Sequence, residues 1–133
     1  MNSFPAAIVG FLAGLILAGS QGIAQSVTPM RGETRSVVDT FAVRLIVGNP
    51  YEQKQFFTVR VYDEKFYPVA ATVSLPVVKL SPKGTRSVLV VVPFDGAPTR
   101  RVRICAEGLF GTENTSKLRT QVCGKFLATY IGL

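Results

Sequence analysis

The chain has no histidine and no tryptophan, and only two cysteines and two methionines. Without histidine there is no Ser-His or Cys-His pair for nucleophilic catalysis, and the commonest metal ligand is missing. Two cysteines alone do not complete a zinc site. Cys105 and Cys123 are also spaced far more widely than a Cys-x-x-Cys redox pair. Carboxylates are scarce, 8 against 15 lysines and arginines, which leaves a net charge of +7. They are scattered, and the one adjacent pair, Asp63-Glu64, falls in a loop pattern where both face water. No Gly-rich phosphate loop follows a strand pattern. These absences argue against an enzyme, and neither a cofactor nor a metal is expected. The positive balance favours anionic partners.

Charged side chains are missing altogether from the first 24 residues, where only the terminal amine is positive. Phe4 to Gly19 is an almost unbroken apolar run, followed by Gly22-Ile23-Ala24. Small residues there suit the −3 and −1 positions of a signal-peptide cleavage site. The pattern predicts a signal peptide over 1–24, one domain over 25–133, and a periplasmic or extracellular location. The segment before the run carries no Lys or Arg, so an uncleaved anchor is the rival reading. A spanning helix, however, needs about 20 apolar residues, more than this run supplies. Past Ala24 no segment is long and apolar enough to span a bilayer. In an oxidising compartment Cys105 and Cys123 are expected to form a structural disulfide.

The remainder reads as strands between turn residues, without a helical period. Ser26 to Met30 is a short first strand. Val37 to Gly48 alternates, with Phe41, Val43, Leu45 and Val47 on one face, and Asn49-Pro50 closes it. Gln55 to Tyr62 sets Phe57, Val59 and Val61 against Thr58, Arg60 and Tyr62. Val69 to Leu75 is a shorter strand, and Val77 to Leu80 an extended connector before the turn Ser81-Pro82-Lys83-Gly84. Thr85 to Val92, Thr99 to Glu107 and Arg119 to Ile131 complete the set. About seven short antiparallel strands in a chain of this size predict an all-β, immunoglobulin-like β-sandwich. The buried Trp and inter-sheet bridge of antibody domains are absent.

The last two strands can be set in register. Val102, Ile104 and Ala106 form one apolar face, and Val122, Phe126, Ala128 and Tyr130 form another. Placing Cys105 opposite Cys123 pairs Ile104 with Gly124 and Val102 with Phe126, apolar against apolar. The same register sets Arg103 opposite Lys125, a like-charge pair. The bridge would contribute on the order of 3 kcal/mol and pin the long loop from Gly108 to Leu118.

Three further features bear on function. Arg100, Arg101 and Arg103 form the densest basic patch, suited either to a carboxylate or anionic surface or to plain solvation. Asn114-Thr115-Ser116 matches a glycosylation sequon. From Phe126 to Leu133 the chain is apolar, so this segment either packs in the sandwich or pairs with a partner by strand addition.

Val27-x-Pro29-x-Arg31, Leu45-x-Val47-x-Asn49-Pro50 and Leu80-Ser81-Pro82-Lys83-Gly84 before the apolar strand Ser87 to Val92 resemble the amino-terminal Ig-like domain of the periplasmic pilus-assembly (PapD-like) chaperones. The resemblance implies that Arg31 helps anchor the carboxylate end of a client. It also implies that the last strand, through Val122, Phe126, Ala128 and Tyr130, completes the client's fold. The chaperones carry a second Ig-like domain, whereas this sequence stops at Leu133. The family's anchoring lysine has no evident counterpart, and the hairpin disulfide is not a feature expected of most members.

Two functions follow as expectations. One is an exported, non-enzymatic binding or assembly factor of the bacterial cell envelope, holding protein partners by edge-strand pairing. The alternative is a structural subunit or accessory component of an envelope or surface-appendage assembly, as an oligomer or larger array. Nucleic acid is not an expected partner, since no aromatic platform interleaves the basic residues.

Overall fold

The computed structural model describes residues 26–110 and 118–132. The expected signal peptide and the Asn114-Thr115-Ser116 sequon lie outside the described residues. Among the described residues the chain forms nine strands in two sheets. They are β1 (Ser26–Thr28), β2 (Arg31–Ser36), β3 (Thr40–Gly48), β4 (Gln55–Tyr62), β5 (Thr72–Val73), β6 (Val77–Leu80), β7 (Thr85–Pro93), β8 (Thr99–Phe110) and β9 (Leu118–Tyr130). One sheet has the order β1-β3-β7-β5 and the other β2-β9-β8-β4-β6. This is an all-β, Ig-like sandwich.

The alternation read along the strands is what closes the core. Phe41, Val43, Leu45 and Val47 of β3 meet Phe57, Val59 and Val61 of β4 and Val102, Ile104 and Ala106 of β8 in one buried cluster. Phe126 and Ala128 belong to it, and Val122 packs partly buried against it. Asn49 is the buried polar residue of the described set, and its amide is fully used. Its Nδ2 donates to the carbonyls of Gln53 (2.8 Å) and Ser81 (3.0 Å), and its Oδ1 accepts from the Tyr51 amide at 3.0 Å. One side chain thereby fastens the turn after β3 to the turn after β6. Asp95-Gly96 makes the turn between β7 and β8, both with positive φ (52° and 78°), which is the reason a glycine stands there.

The structure departs from the sequence reading at four places. The first strand ends at Thr28 and pairs with β3, and after the Thr28-Pro29 cis peptide a strand that was not expected, β2, joins the other sheet. There β2 runs parallel to β9, so the sandwich is not wholly antiparallel. Its sequence, Arg-Gly-Glu-Thr-Arg-Ser, has no apolar alternation because it is a charged edge. Val37 and Val38, expected inside a strand, are exposed in the turn before β3. Of Val69 to Leu75 only Thr72–Val73 pairs as a strand, whereas Val77–Leu80, expected as a connector, forms the edge strand β6.

Candidate functional site

The β8–β9 ladder has the register expected from the cysteines. Cys105 faces Cys123 and the two are bonded, with Ile104 opposite Gly124, Val102 opposite Phe126 and Arg103 opposite Lys125. Cys105 lies on the outward-facing row of β8 and is nevertheless fully buried.

The parallel ladder adds what the sequence reading lacked. Arg31 of β2 is the register partner of Lys125. Since Lys125 is opposite Arg103, and Arg103 opposite Tyr62 of β4, three cations stand side by side across β2, β9 and β8 on the outer face. Neighbouring strands are about 4.8 Å apart, and like charges facing one another across strands are unfavourable. Lys125 therefore stands beside Arg31, a neighbour that the sequence reading did not give it. The signal for it lay in two steps: the cysteine register and the pairing of β2 with β9. The second step was invisible in a strand without apolar alternation.

An open groove of about 470 Å³ lies over this row. Arg31, Arg101, Arg103 and Lys125 supply four cations to its lining, and Glu33 and Glu64 two carboxylates. The Nε of Arg101 approaches Glu64 Oε1 at 3.6 Å, with both side chains largely exposed. Arg103 is held differently. Its guanidinium lies over the Phe66 ring, 4.6 Å from the centroid, a cation–π contact. Its Nε is buried and has no hydrogen-bond acceptor.

Phe66 reaches Arg103 through a strained turn. Asp63 Oδ1 accepts from the amides of Lys65 (2.8 Å) and Tyr67 (3.0 Å), and the Asp63 amide donates to the Tyr67 carbonyl at 2.9 Å. This winds the chain so that Phe66 takes φ of 61°, unusual for a bulky side chain. Such strain gathers at ligand-binding places.

Arg100 does not belong to this patch. It bonds the Pro93 carbonyl and pairs with Asp95 Oδ2 at 3.2 Å, which ties β8 to the turn before it. Sequence adjacency grouped it with Arg101 and Arg103, but its position in the strand turns it to the other side.

Of the two courses read from the sequence for the apolar end of the chain, Phe126 and Ala128 take the first and pack in the sandwich. Between Lys125 and Thr129 β9 is flanked by β2 on one side and β8 on the other. Phe126 (4% exposed) and Ala128 (0%) point into the core, and the Phe126 ring lies against Gly32 and Gly124. Tyr130 is partly exposed and packs on Phe94 with ring centroids 5.6 Å apart. Over Gln121–Gly124, by contrast, β8 pairs on one side and no described strand pairs on the other. Val122 lies in this stretch. It ends at Lys125, whose amide donates to the Met30 carbonyl at 2.8 Å, where β2 begins.

A second polar cluster occupies the same face. Glu107 Oε1 accepts from the Tyr62 hydroxyl (2.5 Å) and from Gln121 Nε2 (2.9 Å), and Arg60 Nε lies 3.7 Å from its other oxygen. Burial, and then the bond to Glu107, raise the Tyr62 phenol above its ordinary pKa.

Known structures share this architecture. The Escherichia coli chaperone DraB superposes with a TM-score of 0.68 at 16% identity, over 84% of this chain and 57% of that one. The SafB chaperone, solved in complex with the SafA pilin of Salmonella enterica, gives 0.65 at 16% identity, over 82% and 55%. WR4, a member of the MSP family from Caenorhabditis elegans, gives 0.57 at 11% identity, over 79% of this chain and 97% of that one. No protein-family profile and no curated protein sequence matches the chain. The fold is thus that of the amino-terminal Ig-like domain of periplasmic pilus chaperones, and the chain spans a little over half the length of the chaperones it matches.

Proposed function

We propose that this domain is a chaperone-like assembly factor that binds a partner chain at one end of β9. The partner's final strand adds beside Gln121–Gly124, and its terminal carboxylate is held by Arg31 and Lys125. One observation carries the reading: the open stretch of β9 ends where β2 takes over, and the Arg31–Lys125 pair stands at that point. A strand added parallel to β9 is collinear with β2 and has to stop before it. Its carboxyl end then meets two cations, one of them an arginine suited to bidentate pairing. Likeness to the SafB chaperone, whose structure includes a pilin, supports a protein partner of this kind.

On this reading the backbone of Gln121–Gly124 provides the ladder and Val122 the apolar contact, while Phe126 and Ala128 support the strand from inside. The protein acts by binding, without chemistry, in the envelope compartment where its disulfide persists.

Fluorescence anisotropy with a labelled apolar heptapeptide tests the proposal. The free acid should bind more tightly than the same peptide as its terminal amide. Arg31→Ala or Lys125→Ala should bring the acid down to the amide's affinity. Equal binding of acid and amide by the unmodified protein would refute carboxylate anchoring.

A further inference from the structure

The groove holds more positive charge than one terminal carboxylate can use. Four cations face two carboxylates across it, so a single bound carboxylate still leaves a positive charge unmatched. The surplus centres on Arg103. Its charge is one strand further from Arg31, beyond Lys125. Glu64 is taken up by Arg101, and Glu33 lies on β2, at the far side of the row. Arg103 is also the cation with the most local structure spent on it. Phe66 adopts a strained backbone to lie over its guanidinium, and its buried Nε lacks an acceptor. A buried donor without a partner is costly, and a local conflict without internal compensation marks a functional position.

Resting on the carboxylate-anchoring reading, we infer that the groove selects partners whose last residue is acidic. The terminal carboxylate sits between Arg31 and Lys125, and the side-chain carboxylate of that same residue reaches across to Arg103. Arg103 lies about one and a half strand spacings from that point, roughly 7 Å, which a glutamate side chain and its hydrogen bond to the guanidinium cover together. Phe66 acts as a positioning residue, keeping the Arg103 guanidinium flat on the groove floor. A planar guanidinium offers two parallel donors to a carboxylate, which a lysine at this place would not.

Three labelled heptapeptides of one apolar sequence test this, ending in glutamate, in glutamine, and in glutamine amide. Anisotropy titrations at low salt give their affinities. The glutamate peptide should bind about tenfold more tightly than the glutamine acid, the factor expected for one added charged hydrogen bond. Arg103→Gln should abolish that ratio and preserve the smaller ratio between glutamine acid and glutamine amide. The preserved ratio also reports that the variant is folded. Phe66→Leu should reduce the glutamate preference while retaining the acid-over-amide preference. Equal affinity for the glutamate and glutamine acids, with the amide still weaker, overturns the inference and leaves carboxylate anchoring intact. A glutamate preference that survives Arg103→Gln overturns the assignment to Arg103. Loss of the acid-over-amide ratio in the unmodified protein refutes the underlying reading instead.

Discussion

Phe126 separates two accounts of the last strand, because a donor side chain and a core side chain respond differently to truncation. It is 4% exposed, belongs to the buried cluster, and its ring rests against Gly32 and Gly124. Truncating a buried Phe to Ala typically costs about 3–5 kcal/mol, the lost transfer energy plus the cavity left behind. For a domain of this size each kcal/mol lowers the melting temperature by roughly 4–8 °C. Phe126→Ala should therefore melt at least roughly 12 °C below the unmodified protein. Far-UV circular dichroism is the suitable probe, since the chain has no tryptophan for fluorescence. The glycines supply an internal check. A Cβ on Gly124 would come within 2.7 Å of the Phe126 ring and 3.1 Å of the Pro29 carbonyl. Gly124→Ala should thus destabilise by about 1–3 kcal/mol, and by less once Phe126 is already alanine. A melting point within two or three degrees of the unmodified protein for Phe126→Ala, combined with lost peptide binding, would refute the core assignment. It would restore Phe126 to the partner-contacting role expected from the sequence.

Two more predictions follow from the outer face. Replacing both cysteines by alanine should cost about 3 kcal/mol, since the bridge closes a loop with a sequence separation of 18. Arg103 and Lys125 are the next outward-facing neighbours of the bridged pair, so the deficit should grow at low ionic strength, where their repulsion is least screened. A salt-independent deficit in melting experiments would show that the bridge does not restrain that pair. Tyr62 provides a pH test. Burial and the Glu107 bond raise its pKa, so the folded state holds the phenolic proton more tightly than the unfolded state does. That contribution is complete below about pH 10 and is lost as pH rises through the folded-state pKa. Near-ultraviolet titration should show one late tyrosinate step, absent in Tyr62→Phe and earlier in Glu107→Gln. A titration in which Tyr62→Phe removes only an early step would contradict it.

The parts of the fold legible in the sequence were those written by alternation. Phe41 to Val47, Phe57 to Val61 and Val102 to Ala106 declared their inner faces, and the cysteines settled the β8–β9 register. The second strand was not legible. β2 is an edge, so its outward neighbour is water and its composition follows solubility rather than packing. The same blind spot hid the site. Arg31 was named through the resemblance, and the cysteine register set Arg103 opposite Lys125, yet Arg31 joins them only because β2 runs parallel to β9. Arg100 shows the converse: three neighbours in sequence suggested one patch, and strand geometry divided it. Val77–Leu80 was short and flanked by prolines, and only pairing with β4 makes it a strand.

The Arg31–Lys125 pair joins nearly the beginning of the described chain to nearly its end. Pairing between such distant segments forms late and slowly, because most of the loop entropy has to be spent first. The row of cations over the groove is therefore a late product of folding: until β9 has docked against β2, Arg31 has no Lys125 beside it. On the proposed reading, partner binding becomes conditional on the last strand having docked against the second.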